Sequence, residues 1–119
     1  ARIMTGYTEY VPSIHEIHHT GKNDEPSGTA ITAAEGASKP YPSLKCWTMD
    51  PESKGLKISA DRKDPYFGTH TVSYDSTLDT IELKHEAHSR DGFALGAVLA
   101  AEWVPGRNGP FSMKDVLGL

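Results

Sequence analysis

Cysteine is almost missing from this chain: Cys46 stands alone, so no disulfide can form within it. Set between Lys45 and Trp47 in a strand-like run, it reads as a buried structural thiol in a reducing, cytoplasmic setting. No apolar run approaches the roughly 18–20 residues a membrane-spanning helix needs, and no secretory leader pattern occurs. Positive charge is scarce too. Lys and Arg number 12 against 16 Asp and Glu, a net −4, which disfavours nucleic acid as a partner because phosphate neutralisation needs clustered cations. Repeats and low-complexity tracts are also missing. What remains is 119 residues, 24% charged and 37% hydrophobic, enough for one soluble globular domain with a single core.

Ala1-Arg2-Ile3-Met4 reads as the last turn of a helix with no initiator methionine, so a longer parent chain is expected. Residues from about 10 to 19 alternate as a strand, with Ile14, Glu16 and His18 on one face and His15, Ile17 and His19 on the other. A polar loop over 20–27 leads to Ser27, a plausible N-cap, and an Ala-rich helix to about residue 37. Strands are expected at 44–49, 56–62, 69–75 and 79–87. Residues 91–104 form a second helix with Asp91 as cap. It carries one charge, Glu102, after Phe93, and so is expected to be buried on most of its circumference. A short terminal helix follows near 111–117. The pattern predicts an α+β domain: a mixed, mostly antiparallel sheet of about four or five strands with two main helices on one face. The other sheet face is left for solvent or for a sheet-to-sheet oligomer contact.

The chemistry concentrates in His18-His19-Thr20-Gly21-Lys22-Asn23-Asp24-Glu25-Pro26-Ser27-Gly28-Thr29-Ala30. A helix start offers unpaired N–H groups and about half a positive charge. With Ser27 as cap, the free donors would be those of Gly28, Thr29 and Ala30, where a carboxylate or phosphate sits well. Lys22 can fold its ammonium toward the same anion, and His18 can titrate near neutral pH. Pro26-Ser27-Gly28-Thr29 lacks the ending of a nucleotide phosphate loop. His15, His18 and His19 would suit a metal only on a helix. The strand reading sends His18 to the opposite face, so no metal is expected. The residues alone leave two readings open, acid–base chemistry on a small carboxylated substrate and a stand-alone anion-binding or oligomerisation module.

The run Glu16-x-His18-x-x-x-Lys22-x-Asp24-x-Pro26-Ser27-Gly28-Thr29-Ala30, nine specified positions over fifteen residues, resembles the signature of the bacterial dihydrodipicolinate (4-hydroxy-tetrahydrodipicolinate) reductase family. Gly68-Thr69-His70-Thr71, Ile81-Glu82-x-x-His85-x-Ala87-x-Ser89-Arg90, Phe93-Ala94-x-Gly96-Ala97 and Met113-Lys114-Asp115-Val116-Leu117 extend the resemblance over nearly the whole chain. Ser13 stands where members often carry an acidic residue, and the loop 63–67 lacks an expected glycine and aspartate. The resemblance is to the C-terminal substrate-binding and oligomerisation domain. No Gly-x-Gly-x-x-Gly occurs, so the N-terminal Rossmann nucleotide domain is expected to lie outside this chain, and this part alone is expected to be inactive.

The resemblance implies an NADPH- or NADH-dependent oxidoreductase that reduces a cyclic, doubly carboxylated imine in diaminopimelate and lysine biosynthesis. It implies that His18 is the catalytic acid–base and Lys22 a second proton donor or charge stabiliser. His19, Gly28 and Thr29 would contact substrate, and Arg90 and Phe93 would lie near the nicotinamide. A homotetramer, a small dicarboxylate substrate, and no nucleic-acid or membrane partner complete the expectation.

Overall fold

Pro12, Ile14, Glu16 and His18 alternate with more accessible residues along β1 (Val11–His18), so this strand has one buried side, as the period-two pattern requires. A computed structural model describes residues 1–119 and divides them into two units, Ala1–Ala87 and His88–Leu119. In the first unit, a 3-10 turn at Arg2–Gly6 precedes β1, and α1 (Gly28–Ser38) follows it. Next come β2 (Trp47–Thr48), β3 (Leu56–Arg62), β4 (Thr69–Asp75) and β5 (Thr80–Glu86). The sheet order is β2-β3-β1-β4-β5.

The sheet is mixed. β1 pairs parallel with β3 and antiparallel with β4, β2 pairs parallel with β3, and β4 pairs antiparallel with β5. The antiparallel ladders run seven residues each and the parallel ones six and two, so antiparallel pairing predominates. The parallel β1–β3 pair needs a crossover, and α1 lies within it. Its small residues Ala30, Ala34 and Ala37 pack on Ile14, Leu56 and Ile58, which lets the helix approach the sheet closely. A second cluster joins Met4, Tyr41 and Tyr74. Leu56 is fully buried beneath α1. Leu56→Ala is expected to cost about 2–5 kcal/mol, read as a lower urea midpoint at unchanged slope.

Two expectations about this unit need correction. The strand expected at 44–49 shrinks to Trp47–Thr48, and Cys46 falls in the loop before it and is exposed rather than buried. The Cys46 carbonyl accepts the Leu56 N–H at 2.9 Å and closes that loop. A Cβ on Gly55 (φ +141°) would come within 2.7 Å of the same oxygen, so only glycine fits there. β5 is exposed along its whole length, Ile81 and Leu83 included.

The second unit holds α2 (Asp91–Trp103) and α3 (Met113–Leu117), which contact each other. Trp103 meets Phe111 edge-to-face at 5.0 Å, and the Arg107 guanidinium lies 3.9 Å from the Trp103 ring centre. α2 contains no buried residue, against the expectation from its apolar composition. An apolar helix surface is buried only where another surface covers it, and α3 is too short to cover this one. Nor is Asp91 the cap. It is the first helical residue, and the Ser89 hydroxyl accepts its N–H at 3.1 Å and donates to its carboxylate at 3.0 Å. No helix is long and apolar enough to cross a membrane.

Candidate active site

Glu16 and His18 are two residues apart on β1, so both point to its buried side. Parallel register sets Arg62 of β3 opposite His18, and antiparallel register sets His70 of β4 opposite Glu16. The loop after β1 then brings Ser27 over the Glu16 carboxylate. Residues far apart in the chain thus converge on one fully buried acid.

That acid is well supplied with donors. The Ser27 N–H donates to Glu16 Oε1 at 3.1 Å, and the Ser27 hydroxyl donates to Oε2. Arg62 Nη2 donates to Oε1 at 3.2 Å. The Nε2 atoms of His18 and His70 lie 3.4 and 3.5 Å from Oε2. The two Nε2 atoms are 3.3 Å apart. Arg62 also ties down the loop, donating to the carbonyls of Asp24 at 2.7 Å and Lys22 at 3.4 Å. Thr20 anchors the loop's start through its N–H and hydroxyl to Asp64, at 3.2 and 2.7 Å.

The electrostatics follow from these contacts. Burial alone would raise the Glu16 pKa, but the Ser27 hydroxyl and N–H, with His18 and Arg62, outweigh it and hold the carboxyl below its ordinary range. Burial pushes the His18 pKa down; Glu16 opposes this, while Lys22 and Arg62 add to it. Burial also lowers His70, and the charge of His18 and His85 adds to the shift against Glu16. Both shifts favour the neutral imidazole, whereas the Ser27 and Arg62 donors to Glu16 do not depend on those rings being charged.

The expected site residues fall in different places. His18 is in the buried cluster. His19 is half-buried, and its charge favours ionised Asp64 after the two Thr20 hydrogen bonds. Lys22 pairs with Asp24 at 2.7 Å on the loop rim. Ser27 caps α1 as expected: its side chain accepts the Ala30 N–H at 3.2 Å. Ala30 is thus not a free donor, a correction to the expected set of three. Gly28 and Thr29 are exposed, their N–H groups lie in the turn where no intrahelical carbonyl reaches, and nothing stands within 4 Å of a Cβ built on Gly28. Arg90 and Phe93 belong to the second unit, where they are exposed at the start of α2.

The sequence-based site omitted Arg62 and His70, and it gave no role to Glu16. One signal was available: Glu16 and His18 share a strand face with Ile14, and a carboxylate on a core face must find donors. Glu16, His18 and His70 also form a possible ligand set, their donor atoms all within 4.8 Å. Arg62 already supplies positive charge to that carboxylate and Ser27 holds two of its lone pairs, so a hydrogen-bonded, proton-holding cluster accounts for the geometry.

A mixed sheet with one crossover helix, and a buried cluster of Glu16, His18, Arg62 and His70 on its strands, defines an α+β domain. The chain belongs to the family described as dihydrodipicolinate reductase, C-terminus, whose model matches residues 1–117. A 4-hydroxy-tetrahydrodipicolinate reductase of Christiangramia forsetii is 48% identical over 118 residues, 98% of this chain and 49% of that protein. The enzyme of the same name in Methanosarcina mazei is 41% identical over 116 residues, 93% of this chain and 44% of that protein. The chain thus spans about half the length of the curated relatives it matches. A dipicolinate-bound dihydrodipicolinate reductase from Paenisporosarcina shares the fold at TM-score 0.64 and 23% identity, over 86% of this chain and 42% of that one.

Proposed function

We propose that this chain is the substrate-binding and proton-supplying half of a 4-hydroxy-tetrahydrodipicolinate reductase acting in diaminopimelate and lysine biosynthesis in the cytoplasm. The observation that supports this most is His18 held against ionised Glu16, with Lys22 and the open N–H groups of Gly28 and Thr29 nearby in sequence, in a chain of that family. The residues of a nucleotide-binding domain lie outside it, and we assign them to the rest of a longer protein. On this reading the chain alone turns over no substrate. The whole protein works as a homotetramer, with no role for nucleic acid, membrane or metal.

Reduced nicotinamide, as NADH or NADPH, supplies a hydride when bound. Phe93 and Arg90, an exposed ring and an exposed cation, are the residues here assigned to its nicotinamide end. One substrate carboxylate takes the Gly28 and Thr29 N–H groups and the Thr29 hydroxyl, where the helix dipole favours an anion. Lys22 exchanges Asp24 for that negative charge, and His19 contacts the same ligand. Hydride addition to a conjugated imine leaves an electron pair that must take up a proton, and His18 donates it. Its lowered pKa makes it a ready donor near neutrality, and a bound dianion raises the share of its charged form.

The test uses the full-length protein and dipicolinate, a stable planar dicarboxylate. Thr29→Val and Lys22→Ala are each expected to weaken its binding by about tenfold in calorimetry, the worth of one charge-assisted hydrogen bond. Undiminished affinity in both variants would refute the anion assignment.

A further inference from the structure

We propose that His70 is the proton partner of His18: the two Nε2 atoms, 3.3 Å apart and both facing Glu16 Oε2, share one excess proton, and His70 resupplies it to His18 after each turnover. This rests on the acid role given to His18 above, but it adds a positioning residue that touches no substrate and acts only through His18.

The donors and acceptors around the pair limit how many protons it can hold. The Ser27 hydroxyl spends its one hydrogen on Glu16 Oε2, and its oxygen accepts the Ala30 N–H. Toward His70 Nε2, 3.2 Å away, that oxygen can only accept. His70 therefore carries its hydrogen on Nε2 when neutral, directed among Ser27 Oγ, Glu16 Oε2 and the lone pair of His18 Nε2. An added proton on His18 Nε2 turns that lone pair into a second N–H aimed at the same carboxylate oxygen. That first proton makes one imidazolium; a second would make both rings cations, repelling across 3.3 Å with only one carboxylate to oppose them. Rings crossing edge-on at 69°, with centres 5.0 Å apart, leave no room for a water between the nitrogens.

The charged surroundings limit the pair to one excess proton. Glu16 on β1 attracts it. Arg62 on β3, Lys22 on the loop and His85, opposite His70 on β5, oppose a second. Asp24 is spent on Lys22. When His18 gives up its proton to the substrate, His70 passes its Nε2 hydrogen to His18 Nε2 while His70 Nδ1 takes a proton from solvent, so neither ring is left as an anion. The His70 side chain is 15% exposed and that of His18 10%, so His70 keeps a path to solvent of its own.

The deciding measurement is a histidine-resolved NMR titration of the full-length protein. His18 and His70 are expected to titrate together in two separated steps, each step moving both rings. Independent single-step curves for the two rings would overturn the proposal, whatever the activity. In His70→Gln, whose amide keeps a hydrogen bond but moves no proton, kcat is expected to fall about tenfold at unchanged KM. The titration of His18 should become a single step. If His70→Gln does not fold, His18→Gln gives the reciprocal reading on His70. A His70→Gln enzyme with wild-type kcat and pH profile would sink the partner role while leaving His18 as acid. A fully active His18→Ala would instead remove the reading beneath it.

Discussion

His18→Ala in the full-length protein is expected to lower reductase kcat by about 10²–10⁴-fold, the usual worth of a positioned general acid. KM should change little, because Lys22, Gly28 and Thr29 are assigned the substrate charge and His18 the proton. On the proposed assignment, the loss falls on the step in which a proton neutralises the electron pair left by hydride addition. An exogenous small imidazole should restore part of the rate in the alanine variant and none in wild type. Steady-state kinetics decide the matter. A variant that lost affinity at constant kcat would make His18 a binding residue only.

The second large effect is structural. Glu16→Ala removes the acceptor for the Ser27 N–H, the Ser27 hydroxyl and Arg62 together. Arg62 is only 17% exposed and would remain as a largely buried cation with only the Glu25 carboxylate, at 3.9 Å, opposite it. Breaking such a pair from one side costs about 3–5 kcal/mol. The Arg62 bonds to the Asp24 and Lys22 carbonyls place this variant nearer the lower figure. The loop they fasten carries Lys22, so binding of a dicarboxylate should fail alongside stability. Denaturant unfolding with a parallel calorimetric titration checks both; wild-type stability would show that the carboxylate is dispensable.

The same cluster sets the response to acid. His18 and His70 have folded pKa values below their ordinary 6.5, so the unfolded chain binds more protons and stability falls as pH drops through that value. Glu16 is depressed below its ordinary 4.5, so its contribution is present above that pH and is lost as pH falls through its folded value. The three effects add with one sign. Glu16→Gln is expected to flatten the lower of the two acid ranges, because an amide does not titrate.

Much of the fold was legible because its signals are local. β3 and β4 match the alternating runs at 56–62 and 69–75, and α1 begins at the Ser27 cap. These depend on side-chain period and on one hydroxyl near a helix start. β2 failed because the stretch around Cys46 is apolar without being paired, and pairing rather than propensity makes a strand. The helix expected at 91–104 stands as α2, but its expected burial does not: an apolar helix predicts a need for cover, and composition does not say which surface provides it.

The site divides along the same line. His18, Lys22, Gly28 and Thr29 lie within twelve residues, so one loop and one cap place them, and the sequence by itself determined that an imidazole, an ammonium and a helix start meet there. It also determined the strand face that separates His18 from His15. Arg62 and His70 lie 46 and 54 residues beyond Glu16 in the numbering and reach it only because β3 and β4 flank β1 in a set register. Register is a property of three strands together, fixed by which faces α1 buries. Only the tertiary structure could decide that His18 has a buried carboxylate, an arginine and a second imidazole around it.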